Sequence, residues 1–486
     1  MPQAPAAIAR LPGPHRQHPR RFHVLDGLAR EIWIVLAVEL LGGVSGGITN
    51  KTLALWLSSD LGYDDAHAGY WAAAASTATT LAAVVVGSLG DALGLRKAFL
   101  LGGAVCVAAR FVVAASTRPW LALGLGLAPL SLGQALGATV LVAATRRYST
   151  TAQRSIAFSI AYAAMNAGLY LAAIVFDALR AHLGEHGHLT LPGTAFQLGT
   201  YRALLLVAFA FEVIQLPLLF FGIREGAEAT PRAGCDSARA IVGTLGDAVR
   251  IFAGLWRQPA CRRLLGFFAL VALVRLVFVQ LDHLYPKFAI RELGQGAPVA
   301  ALTGVNALLI IVLVPLVGVL SRRVPAYRMV LVGSAIAAAS LYIVSLPPRW
   351  FAAMADGWLG HVVAGGYLRV GGEVSPWYVS IFLFIVVLSI GESIYSPRVY
   401  EHAAAIAPRG REGSYAALSS LPFAVAKLGA ASSSGVLLQR YCPEVGERHS
   451  GTLWLILAVT ASIAPIGLFA LRRRLRVGDA ERENGA

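Results

Sequence analysis

Seven ionisable side chains interrupt stretches that are otherwise apolar: Glu39, Arg110, Glu212, Arg275, Asp282, Glu392 and Lys427. Such a group is costly in an apolar span unless it is paired or wet, so each is a functional candidate. The chemistry open to them is proton carriage and recognition of ions. Glu392 shares a helical face with Ser389 and Ser396. A carboxyl in a narrow cavity that alternately dries and wets can load and release a proton, or receive a cationic group. A fixed pair with Lys427 or Arg275 is the structural alternative. Arg275 and Asp282 share a face, and Arg275 falls near mid-span, where its guanidinium can clamp a carboxylate or simply hold Glu392. Asp282 and His283 fall near a span end, and His283 reads as an interfacial histidine. Lys427, in line with Ser420 and Ser434, is an anion site or a partner for Glu392. Arg110 and Glu212 read as a structural ion pair.

Two stripes of neutral residues accompany these charges. Glu39, Gly43, Gly46 and Asn50 fall on one helical stripe, where the glycines either admit a neighbouring helix or leave room for a ligand. Tyr162, Asn166, Tyr170 and Asp177 form another. Its amide and phenols can hold a polar ligand or join helices by hydrogen bonds. Gln280 and Asn306 add further amides. The expected substrate-binding or coupling set is therefore Glu39, Asn50, Tyr162, Asn166, Tyr170, Arg275, Gln280, Asp282, Glu392 and Lys427.

The elements that must position these groups follow from composition. Of 486 residues, 57% are hydrophobic and 14% charged, with a mean hydropathy of +0.64. A soluble domain carries about a quarter charged residues, so the polar surface is too small to cover a water-exposed globule. A helix crosses a bilayer with about 20 apolar residues. About twelve such segments are predicted, near 32–57, 69–90, 97–117, 119–144, 153–179, 201–223, 261–290, 299–321, 327–346, 376–398, 414–437 and 450–471. The expected fold class is an all-α polytopic membrane protein with two six-helix bundles. The expected organisation is a cytoplasmic tail 1–30, a bundle 31–223, a cytoplasmic linker 224–260, a second bundle 261–472 and a cytoplasmic tail 473–486. Within the linker, Ala238–Trp256 has amphipathic character.

The net charge of +15 does not indicate nucleic acid. The basic residues recur as short clusters between apolar runs: Arg20–Arg21, Arg96–Lys97, Arg146–Arg147, Arg262–Arg263, Arg322–Arg323 and Arg472–Arg473–Arg474. These fall on one side of the membrane, which places both termini in the cytoplasm. Compact outer loops fit a bacterial inner membrane. The halves also echo one another: one offset aligns Gly87 with Gly318, Leu89 with Leu320, Lys97 with Arg328 and Gly102 with Gly333.

The stretch Gly87, Asp91, Gly94, Arg96, Lys97 resembles the loop signature of the major facilitator superfamily, where it is a gate element; Ala92 stands where a basic residue is usual. Within that superfamily the chain is similar to the proton-coupled oligopeptide transporters. Phe158, Tyr162, Asn166 and Gly168 on the fifth span, Gly391-Glu392 through Ser396-Pro397 on the tenth, and Glu39 on the first carry the resemblance. It implies a monomeric transporter with a small-molecule substrate and proton coupling. The chain departs from the family's first-helix motif at Gly42, Gly43, Gly46 and Gly47, and lacks the fourth-helix lysine around Gly133–Thr139.

The expected function is a secondary active transporter for a small polar or zwitterionic solute, with a di- or tripeptide among the candidates. An exporter of drugs or metabolites is the in-class alternative; a membrane sensor is a more distant one. An enzyme is not expected: the sequence shows no phosphate-binding Gly-Lys-Ser/Thr loop, zinc-binding His/Glu motif or nucleophile elbow. The four cysteines, Cys106, Cys235, Cys261 and Cys442, lack metal spacing. No cofactor is expected, and the partners are the solute, protons and the lipid bilayer.

Overall fold

The computed structural model describes residues 29–93, 95–149, 154–190, 197–223, 259–321, 324–406 and 412–475. Twelve long helical segments run through these residues. They are α1 (Arg30–Ser59), α2 (Asp65–Leu93), α3 (Leu95–Ala115), α4 (Pro119–Arg147), α5 (Arg154–Leu183) and α6 (Thr200–Gly222), then α7 (Pro259–His283), α8 (Val299–Leu320), α9 (Ala326–Ser345), α10 (Pro376–Ile406), α11 (Glu412–Tyr441) and α12 (Ser450–Ala470). Ten are long and apolar enough over their described residues to cross a membrane. The protein is thus an all-α, multi-pass membrane protein. With no water in a bilayer core, the backbone must satisfy its own hydrogen bonds, and continuous helices do so.

The chain alternates between two faces. The terminal face carries the start of α1 and the end of α12; the distal face carries the connections α1–α2, α3–α4, α5–α6, α7–α8, α9–α10 and α11–α12. The distal connections hold a hairpin of β1 (His188–Thr190) and β2 (Gln197–Gly199). Past α7, whose sequence pattern predicts one span to residue 290, the helix ends at His283 and a separate short helix, Tyr285–Leu293, follows. Pro286 explains the break, because proline cannot donate to the preceding turn. The α9–α10 connection carries short helical turns over residues 348–367. The tail 1–28, the stretch 224–258 with its amphipathic segment, Arg322–Arg323 and residues 476–486 lie outside the described residues. So do Gly94 and the surroundings of Gly87 and Asp91.

Within the first bundle α1 packs on α5 and α6, and α3 on α4 and α6; within the second α9 packs on α10 and α12, and α7 on α11 and α12. The most extensive packing between the bundles is α2 with α11 and α5 with α8, and α1 also touches α7 and the short helix after it.

The glycines of α1 divide between the two roles open to them. A Cβ at Gly43 would stand 2.7 Å from the Met165 carbonyl oxygen, and one at Gly168 would stand 2.3 Å from that of Leu40. The backbones of α1 and α5 touch there, as small residues allow in membranes. Gly46 has open space before it, with no atom within 4 Å of its notional Cβ. Gly168→Leu is therefore expected to destabilise by about 1–3 kcal/mol or more through overpacking, whereas Gly46→Ala leaves the fold intact. Thermal unfolding of both variants in detergent checks this; a Gly168→Leu protein as stable as the parent contradicts the crossing.

Candidate functional site

A cavity of about 600 Å³ lies between the bundles. On α1 it extends from Val38 to Leu53, a length of about 22 Å at 1.5 Å per residue. Glu39, Gly42, Gly46 and Asn50 line its first-bundle wall, and Asp282, His283 and Lys427 its second-bundle wall. The sequence-predicted residues it brings together are thus Glu39, Asn50, Asp282 and Lys427.

The other predicted residues sit elsewhere. Gln280 donates to the Ala430 carbonyl at 3.1 Å and accepts from Ser434 at 2.5 Å, which ties α7 to α11 rather than facing the cavity. Asn166 donates to the Tyr162 carbonyl of its own helix at 2.8 Å, so its amide is spent locally. Tyr170 packs against Gly304 of α8. The stripe Tyr162–Asn166–Tyr170 therefore belongs to helix packing: α5 turns it toward α1 and α8. Glu392 accepts a hydrogen bond from Asn306 at 2.9 Å, and Asn306 also donates to Ser389 at 3.0 Å. Arg275 lies over the Phe423 ring at 4.9 Å, and the Lys427 ammonium lies 5.2 Å from the same ring. These groups form a polar cluster inside the second bundle beside the cavity.

Arg110 and Glu212 approach at 3.3 Å and are buried, yet both also line the cavity. Ser45 donates to Glu212 at 2.9 Å, and Arg110 donates to Thr49. This network joins α1, α3 and α6. His283 is 6% exposed, not interfacial, because the short helix Tyr285–Leu293 covers the end of α7. Of the gate motif, Arg96 donates to the Phe220 carbonyl at 2.8 Å and lies over the Phe220 ring, while Lys97 is exposed.

Sequence reasoning missed three groups that cross between the bundles. Lys51 donates to Thr303 of α8 at 2.8 Å. Asp65, at the start of α2, pairs with Lys287 at 2.7 Å and Arg291 at 2.8 Å on the short helix after α7, and Lys287 also donates to Ser58. Asp177, noticed only as part of a stripe, accepts from the Ala300 and Ala301 amides at 3.1 and 2.6 Å, and so caps the first turn of α8. Arg180 holds that carboxylate at 3.3 Å and also reaches Glu185 and the Ala297 carbonyl. These contacts stand at the distal face. Their signal in the sequence was position: each lies at a span end, where charge is ordinary.

Outside the spans, burial pushes the Lys287 ammonium below the usual lysine range, against the pull of Asp65. Burial likewise pushes Asp60, at the distal end of α1, up to about 6, with Arg202 and His188 acting in the opposite direction.

The pattern of the Major Facilitator Superfamily matches residues 35–367, more than half of the sequence. The chain belongs to the major facilitator superfamily. No curated protein matches it. Solved structures similar to this superfamily member include a bacterial homologue of the human drug peptide transporters PepT1 and PepT2, at 17% identity and TM-score 0.65, covering 92% of this chain and 99% of that one. A POT family transporter in complex with 5-aminolevulinic acid shares 14% identity, with TM-score 0.70 and coverage of 92% and 97%. Tetrameric PepTSo2 shares 16% identity, with TM-score 0.64 and coverage of 92% and 99%. At these identities the likeness shows the shared fold of two six-helix bundles. The superfamily marks the protein as a transporter.

The Asp60 shift gives a signed expectation. A carboxyl whose folded value lies above its ordinary one loses stability as pH climbs from that ordinary value to about 6, and the penalty is complete above it. Asp60→Asn should therefore stabilise the fold at pH 8 by on the order of 1 kcal/mol after discounting for partial exposure, and so raise the melting temperature there. Near pH 4 it should not raise it. Equal melting temperatures at pH 8 contradict the burial argument.

Proposed function

We propose that the protein is a secondary active transporter that carries a small polar or zwitterionic solute through the central cavity by alternating access, coupled to protons. The carrying observation is the cavity's position: its walls come from both bundles, and the seam at its distal end includes polar contacts between them. The Asp65 clamp and the Asp177 cap can be exchanged for water when the bundles rock, at a modest net cost. The packing of α2 on α11 supplies the surface on which that rocking occurs: a Cβ on Gly435 would stand 2.8 Å from the Ala66 Cα.

The solute class follows from the wall. Glu39 offers a carboxylate, Asn50 and Gln134 offer amides, and Lys427 offers an ammonium. A group with both charges finds partners there, which supports a zwitterion, including a short peptide. The neighbouring structures titled as peptide transporters, and the one holding 5-aminolevulinic acid, support the same reading. Proton coupling rests on the carboxylates within the spans, Glu39, Asp282 and Glu392. Glu392 is held by Asn306 inside the second bundle rather than on the cavity lining, which supports coupling over binding. The basic clusters support a cytoplasmic location for both termini. One chain supplies the whole cavity, in keeping with a monomer as the working unit.

Glu392→Gln should abolish uptake driven by a pH gradient into proteoliposomes. It should preserve solute counterflow, which needs no net proton movement. Unchanged gradient-driven uptake removes Glu392 from coupling; loss of both activities with a normal melting temperature moves it into binding.

A further inference from the structure

The second-bundle wall of the cavity carries a charge, Lys427, that makes no ion pair among the described residues. The Lys427 ammonium has three donors to place. Among the described residues it meets the neutral Thr80 hydroxyl at 3.4 Å and the face of Phe423. Asp282 is near enough to act on it, but the Lys51 charge acts on that same carboxylate. Lys51 is shared between Asp282 and Asp177, whereas no carboxylate stands within ion-pair distance of Lys427 among the described residues. Glu39 cannot supply the balance: it lies eleven residues before Asn50 on α1, about 16 Å toward the terminal face.

A second observation, independent of charge, marks the same place. His283 is buried to 6% exposure and lines the cavity, and its Nδ1 has no hydrogen-bond partner. A buried ring nitrogen without a partner is costly and uncommon; turning the ring toward a ligand in the cavity would relieve it. The Lys427 charge acts on this ring, so the two groups share one neighbourhood. Asn50 lines the same cavity from α1 with its carboxamide.

We propose that this end of the cavity is a carboxylate subsite, in which Lys427 holds the anionic group of the solute while His283 and Asn50 donate to its oxygens. The proposal deepens the transport reading and rests on it for the identity of the cavity. A carboxylate is an acceptor with about four lone-pair sites, which matches an ammonium, an imidazole N–H and an amide N–H. The ammonium, without an ion pair of its own among the described residues, takes one negative charge. A dianionic phosphate would leave charge unmatched beside Asp282. The subsite is built on α7 and α11, the second bundle, so the anionic end of the solute is read by the bundle opposite Glu39.

The test is thermal stabilisation of the purified full-length protein in detergent. The probes are free amino acids, di- and tripeptides and simple organic monocarboxylates, each beside its carboxamide counterpart, with inorganic phosphate and sulfate as further probes. The expected result is that a free acid binds at least tenfold more tightly than its amide. Lys427→Gln should remove that preference by weakening the acid alone, Lys427→Arg should retain it, and His283→Gln should reduce it. Equal binding of acid and amide by the parent protein overturns the proposal even if Lys427→Gln fails to fold. So does binding of phosphate or sulfate with all carboxylates silent, or binding of no probe. Flux of cations or neutral solutes into proteoliposomes with carboxylates silent would sink the subsite and leave transport standing. A Lys427-dependent acid preference without flux of any solute would do the reverse.

Discussion

Charge that a bilayer cannot solvate is the constraint on which this structure depends. Each buried ionic group must find a partner on another helix or reach water in a cavity. The chain does both in separate places. At the distal face Asp65 of the first bundle and Glu444 of the second together balance Lys287 and Arg291. Asp177 meets the backbone amides at the start of α8 there, and Arg180 meets Asp177. In the middle, Glu39, Asp282 and Lys427 line open space instead. The first set closes a seam; the second marks a cavity that needs an occupant. A transporter uses both, because polar contacts in a seam can be exchanged for water when the bundles part.

Helix packing sets where these charges stand. The approach of Gly43 to Gly168 brings α5 against α1, which turns the Tyr162–Asn166–Tyr170 stripe away from the cavity and leaves Gly42 and Gly46 facing it. The same crossing carries Asp177 to the foot of α8. The ionic network of Arg110, Glu212, Ser45 and Thr49 then fixes α1 to α3 and α6, so that the first bundle can move as one body.

The twelve spans were legible in the sequence because apolar length is a strong and local signal, and the break after His283 was not, because Pro286 sits inside a run that remains apolar. Residues on the cavity wall were harder to read. Glu39, Asn50, Asp282 and Lys427 stand out as polar groups within spans, and their helices turn them inward. Gln280 stands out equally and faces a neighbouring helix instead, since one polar residue reveals its depth but not its azimuth. Lys51 was overlooked because it lies near a span end, where a lysine ordinarily reaches solvent; only the packing of α1 near α8 shows that it meets Thr303. The Asp177 cap was unreadable for a further reason: its partners are backbone amides, which no residue type announces.

The central claim is that the distal seam opens and closes around a fixed cavity. Double electron–electron resonance reads this directly, with spin labels at Asp64 and Val445, exposed positions flanking α2 and α11 on the distal face. In proteoliposomes that support flux, the account predicts two distance populations, with the longer one growing or shrinking as pH and solute are varied. A single distribution, unchanged under every condition that sustains flux, would contradict it.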